Sequence, residues 1–192
     1  MASTVSRGKK PSSFFPMTPF GGKSPRFDET VFIDPSARLI GDVLLESGVS
    51  IWPFALLRAD SNRIVVGEQS AILDKVLIES PKDHPVVIGR KVLVSHGAIL
   101  HGCTVREGAT IGIGAIVLDG AEIGKGAIVG SGSLVPPGTK IPDDTLVLGL
   151  PAKEVRTLDE ADRKEAQAQV AEVYEKSRKY LELLGHFHGG WR

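Results

Sequence analysis

Aliphatic residues return every six positions through the second half of the chain: Val105, Ile111, Val117, Ile123, Val129, Val135, Ile141 and Val147. Four places after each there is usually a small residue, as at Ala109, Ala115, Ala121, Ala127, Ser133, Thr139 and Thr145. Earlier stretches hold the same frame in pieces: Ile33, Leu39, Leu45, Ile51 and Leu57, then Val66, Ile72 and Ile78, then Ile88, Val94 and Leu100, with a step of five to Val105. A short fixed period marks an array of stacked units. A period of six predicts one short strand and one corner per hexad, so that three hexads close a triangular coil of a parallel β-helix. The aliphatic side chain points into the prism and the small one fits the crowded corner. Residues 58–65 (RADSNRIV) and 79–87 (ESPKDHPVV) break the frame and are expected to loop out. Insertions in such arrays gather on one face and carry function.

After the repeat the period changes. Val170, Val173, Tyr174, Ser177, Leu181 and Leu184 fall on one face at helical spacing, which predicts a helix over 157–185 packed along the prism. Thr157 and Glu160 match a capping box, and Gly185 is a stop signal. The tail carries His186 and His188, read as solvated. Ahead of the repeat, residues 1–26 hold Arg7, Lys9, Lys10, Lys23 and Arg26 without an acid and with several prolines, the pattern of an extended arm strapped to the body. The expected organisation is therefore an arm at 1–26, a β-helix domain at 27–156, and a C-terminal helix with its tail at 157–192.

Composition narrows the function. Lys+Arg and Asp+Glu are both 23, so the chain has no broad basic field for nucleic acid or an anionic membrane surface. Its apolar runs are far shorter than a bilayer span, and residues 1–26 lack the apolar core of a secretory signal. The one cysteine, Cys103, excludes an internal disulfide framework and suits a reducing compartment, so the expected location is cytoplasmic. Cys103 itself reads as a packed thiol.

The repeat also predicts neighbours, because residues one coil apart stack at about 4.8 Å. If the two breaks add no face, the hexads of Leu57, Ile78 and Leu100 share one face and those of Ile72 and Val94 another. Arg58, Glu79 and His101, each just after its aliphatic residue, should then form one vertical row. Asp74 should lie beneath His96 on a second row. The two rows stand on different faces of a prism and cannot share an ion within one chain. In a three-fold trimer, however, His96 of one chain can approach Glu79 and His101 of the next. Two imidazoles and a carboxylate suit Zn²⁺ or Fe²⁺, with positions left for water. Asp74 would hold the far ring nitrogen of His96. The alternative is a pair of interface histidines satisfied by hydrogen bonds.

Residues 94–104, VSHGAILHGCT, resemble the metal-binding segment of the γ-class carbonic anhydrases and their bacterial hexapeptide-repeat relatives. LRAD at 57–60 is similar to that family's Arg-Gly-Asp stretch, and residues 131–158 resemble its exit from the β-helix into a C-terminal helix. The resemblance covers roughly residues 28–184. It implies a left-handed parallel β-helix followed by an α-helix, since hexapeptide repeats wind against the usual right-handed crossover rule. It also implies a homotrimer whose interface metal is held by three histidines, two from one chain and one from its neighbour. His96 and His101 match two of them, and Glu79 stands where the family has the third. Arg58, Asp60 and Asp74 match the family's polar active-site residues, while Leu73 replaces a glutamine.

The function this implies is reversible hydration of CO₂ to bicarbonate at Zn²⁺ or Fe²⁺, with Arg58, Asp60, Asp74 and Glu79 around the ion held by His96, His101 and Glu79. A carboxylate ligand makes bound water less acidic than three neutral imidazoles do, so activity is expected to be weak at neutral pH or shifted alkaline; alternatively Glu79 pairs with Arg58 directly beneath it and the metal is lost. Asp83 or His84, in the second break, could relay protons. Two alternatives stand beside it. One is a non-catalytic trimeric scaffold that binds a partner or anion. The other is an acyltransferase or thioesterase on the same repeat, with His84 as its base.

Overall fold

The computed structural model describes residues 16–187, and for 184–187 the backbone alone. Short parallel strands stack into a triangular prism, a parallel β-helix, in the register the hexads predict. The first face stacks Leu39, Leu57, Ile78, Leu100, Val117 and Val135. The second stacks Leu45, Val66, Ile88, Val105, Ile123 and Ile141. The third stacks Ile33, Ile51, Ile72, Val94, Ile111, Val129 and Val147.

These rungs, Ile33 apart, are buried and form one continuous core. Ala37, Ala55, Ala98, Ala109, Ala115, Ala121 and Ala127 are buried at the corners, where the chain turns too tightly for a larger side chain. Removing one rung, as in Leu100→Ala, would cost about 2–5 kcal/mol, because neighbouring coils are hydrogen-bonded above and below and cannot collapse into the gap.

Residues 58–65 do not loop out. They lie within one long strand, Leu56–Val66, that rounds the corner between the first and second faces alongside Arg38–Leu45. Ala59 and Ile64 point into the core, which holds the stretch against the prism. The second break is a short loop between strands Leu77–Glu79 and Val86–Ile88. Ser80 Oγ donates to the Asn62 carbonyl at 2.9 Å, and Asn62 Nδ2 donates to the Lys82 carbonyl at 2.8 Å. The loop is thereby tied to the long strand beneath it.

Of the N-terminal arm, Met17–Thr18 pairs with Leu39–Ile40, and Lys23 and Arg26 both meet Asp42. At the other end, Thr157 belongs to strand Ala152–Thr157, which runs antiparallel to Thr145–Gly149. The helix, α1, spans Glu160–Phe187, starting later and ending later than the sequence signals suggested. Its cap is reciprocal between Asp159 and Asp162: each backbone N–H donates to the other's carboxylate at 2.9 Å. The Thr157–Glu160 box is displaced because Thr157 is already paired in a strand. α1 lies along the third face, where Val170 joins Phe32, Trp52, Ala71, Leu73 and Leu93, and the Tyr180 ring lies tilted against Phe32 and edge-to-face with Trp52. Among the described residues no helix is long and apolar enough to cross a membrane. His188 and the side chain of His186 lie outside the described residues.

Candidate metal centre

The first face carries the candidate site on its two edges. On one edge Arg58, Glu79 and His101 stack in register, each following an inward aliphatic residue. The Arg58 guanidinium pairs with one oxygen of Glu79 and lies 3.7 Å from Asp60 Oδ2. The hydrogen bond that Arg58 donates to Glu79, and the charge of Glu79, hold Arg58 still more firmly in its cationic form against the opposing effect of burial, and Asp60 adds a smaller contribution. The other Glu79 oxygen faces His101 Nε2 at 4.0 Å.

His101 Nδ1 is 2.5 Å from Asp119 Oδ1. On the opposite edge His96 Nδ1 is 3.0 Å from Asp74 Oδ2. The two histidines therefore share one arrangement. An imidazole that donates to such a carboxylate through Nδ1–H keeps its lone pair on Nε2. That is the usual setting of a metal-ligating imidazole, whose far nitrogen is fixed by a carboxylate. Glu79 fits as a ligand in the same way, with one oxygen neutralised by Arg58 and the other turned toward His101. The donor set thus suits a divalent ion. Yet among the described residues of one chain no three His, Cys, Asp or Glu side chains gather closely enough to hold a metal.

The remaining residues sort by position. Leu73 is buried beneath α1 with Phe32, Trp52 and Val170, so it faces the helix instead of the site. Asp83 and His84 lie exposed on the short loop. His84 comes back over Gly102: a Cβ at position 102 would fall 2.7 Å from His84 Cβ and 2.4 Å from Asp119 Oδ1. Cys103 is in the core, and burial pushes its thiol up to about 12, which disfavours the thiolate a metal needs.

Asp119 is the site residue that the sequence did not disclose. Direct stacking on His101 leads to Leu118, since Leu100 pairs with Val117. Asp119 sits one place further, at the corner, and reaches back past Gly102. The glycine after His101 was the available signal.

Comparisons with known proteins agree with this architecture. The bacterial transferase hexapeptide family (six repeats) matches residues 102–137. The crystal structure of a hexapeptide transferase family protein from Anaplasma phagocytophilum superposes with a TM-score of 0.82 at 36% identity, covering 85% of this chain and 97% of that one. The chain belongs to the hexapeptide-repeat family. The crystal structure of a candidate acetyltransferase from Bacillus cereus superposes with a TM-score of 0.86 at 36% identity, covering 87% of this chain and 97% of that one.

Among curated hexapeptide-repeat relatives, γ carbonic anhydrase 2 of Arabidopsis thaliana, a mitochondrial protein, is 44% identical over 91 residues. That match covers 44% of this chain and 33% of the relative. The carnitine operon protein CaiE of Escherichia coli O157:H7 is 41% identical over 86 residues, covering 45% of this chain and 44% of CaiE. The matches span less than half the length of these curated relatives.

Proposed function

We propose that this hexapeptide-repeat protein is a γ-carbonic-anhydrase-like homotrimer that hydrates CO₂ to bicarbonate at a divalent ion, Zn²⁺ or Fe²⁺, between subunits. His96 of one chain and Glu79 and His101 of the next hold the ion. The observation that carries this is the matched pair of imidazoles, each with Nδ1 on a carboxylate and Nε2 left to coordinate.

The surface between the two edges supports the trimer. Leu56, Leu77, Ile99, Ile116 and Leu134 stand side by side on the outside of the first face, half-buried on the single chain. Five aliphatic rungs at about 4.8 Å make a strip roughly 19 Å long. Such a ladder is suited to cover by a second copy of the chain. The strip lies between the Asp74–His96 edge and the Arg58–Glu79–His101 edge, so covering it brings a His96 toward a neighbouring His101.

When bound, the ion would supply Lewis acidity that lowers the pKa of a bound water. Asp74 fixes the His96 ring, and Arg58, itself braced by Asp60, fixes Glu79. Glu79 brings a negative charge where a neutral imidazole would stand, so hydration is slow at neutral pH and rises in alkali. His84 and Asp83, exposed beside the site, are available to carry protons to solvent. The buried reduced thiol fits a reducing compartment such as the cytoplasm, while the Arabidopsis relative is named mitochondrial.

Purified protein reconstituted with zinc or iron is the test. The expected result is about one ion per chain and CO₂ hydration faster than buffer. A trimer with neither would leave a scaffold or anion-binding role. The His101–Asp119 contact also supports a second activity, since a histidine oriented by a carboxylate is a general base for acyl transfer or thioester hydrolysis. Saturable binding of coenzyme A with no metal would favour that activity.

A further inference from the structure

We infer that Asp119 is the positioning residue for His101: it fixes which ring nitrogen carries the proton and so turns Nε2 toward the metal. This deepens the metal-site proposal and rests on it. The contact is short, 2.5 Å from Asp119 Oδ1 to His101 Nδ1, and it spans two coils. Asp119 lies beyond the position stacked on His101, in the corner that follows Leu118. It reaches the ring because residue 102 has no side chain. A Cβ there would stand 2.4 Å from the Asp119 oxygen. The backbone at Gly102, with φ +57°, is the left-handed form that opens this path.

Three features of the molecule make the contact a device and not a surface accident. The two groups are part-buried, with His101 one-third exposed, so solvent does not replace the carboxylate freely. The neighbouring loop passes close to the same glycine, with Pro81 and His84 within about 3 Å of its missing Cβ, so position 102 has no room for a side chain between the ring and the carboxylate. On the other edge of the first face Asp74 makes the corresponding contact with His96 Nδ1. Both proposed ligand histidines therefore have a carboxylate behind them. The sequence discloses Asp74 through simple stacking, and hides Asp119 through its corner position.

The ring tautomer of His101 in metal-free, full-length protein tests this directly. Long-range ¹H–¹⁵N spectra at about pH 8, where an ordinary imidazole is neutral, report which nitrogen is protonated. Loss of one ring's signals in His101→Gln assigns them. Wild-type His101 is expected to carry its proton on Nδ1. Asp119→Asn should move the population toward Nε2–H severalfold, and Asp119→Glu should restore part of it. In parallel, zinc affinity measured by chelator competition should fall about 10–100-fold in Asp119→Asn. If Asp119→Asn does not fold, Asp119→Ala is measured the same way. An unchanged Nδ1–H tautomer in the variant overturns the inference. Wild-type protein that takes up no zinc while its tautomer still depends on Asp119 sinks the metal-site proposal and leaves the positioning role standing.

Discussion

Glu79 lies directly over Arg58, one coil apart and in backbone register, and their side chains form an ion pair. The pair leaves one Glu79 oxygen facing His101 Nε2, so Glu79 is shared between a permanent cation and the proposed metal position. Replacing it with histidine removes the anionic charge from that position. Glu79→His is expected to raise CO₂ hydration at neutral pH by at least about tenfold, or about 1.4 kcal/mol of barrier. Stopped-flow hydration assays across pH check this, and the alkaline shift of the wild type should shrink in the variant.

The aliphatic strip makes a prediction about assembly. Ile116 lies mid-ladder, paired with Ile99 below and Leu134 above. Ile116→Glu would place an unpaired carboxylate against a covered apolar face, at a cost exceeding the roughly 1.5–3 kcal/mol of burying an aliphatic side chain. Sedimentation should show a drop from trimer to monomer, with circular dichroism unchanged because the side chain points away from the core.

Gly102 and Gly108 separate strain from contact. Both have positive φ, +57° and +69°. A Cβ at Gly108 meets nothing within 4 Å, while at Gly102 it collides with Asp119 and His84. Gly108→Ala should cost about 1–2 kcal/mol in denaturant unfolding, the strain of the backbone form alone. Gly102→Ala should cost more and should also weaken zinc binding by displacing Asp119.

A carboxylate at the start of α1 gives a pH dependence. Arg156 Nη2 donates to Asp162 Oδ1 at 2.8 Å, and this hydrogen bond, with that from the Asp159 N–H, holds Asp162 far below the usual carboxylate range. A depressed folded value means the stabilisation is complete above about pH 4, the unfolded value, and is lost only as pH falls toward the folded one. A ¹³C titration of Asp162 should therefore show no midpoint near 4, and Arg156→Met should bring it back up.

Much of this was legible in the sequence, because a repeat gives every rung the same surroundings. The inward ladder from Leu39 to Val147 follows from period alone, and so does the Arg58–Glu79–His101 row, since stacking three hexads apart is arithmetic. What escaped has a physical cause in each case. The six-residue frame predicts a loop at 58–65, whereas Ala59 and Ile64 face inward outside that frame, in a strand paired against the matching long strand Arg38–Leu45. The start of α1 falls after the Thr157–Glu160 signal because Thr157 is claimed by an antiparallel strand, leaving Asp159 and Asp162 to form the cap. Asp119 escaped because the five-residue step after Leu100 breaks the frame just below its corner.

The claim that the site is shared between subunits is tested most directly by mixing. His96→Gln and His101→Gln protein, each purified, should separately bind almost no zinc. Refolded together in equal amounts, random trimers pair an intact His96 with an intact His101 at about a quarter of their interfaces. Zinc content should therefore recover to about a quarter of the wild-type value. No recovery on mixing, with trimers formed, would contradict a metal held between His96 of one chain and His101 of the next.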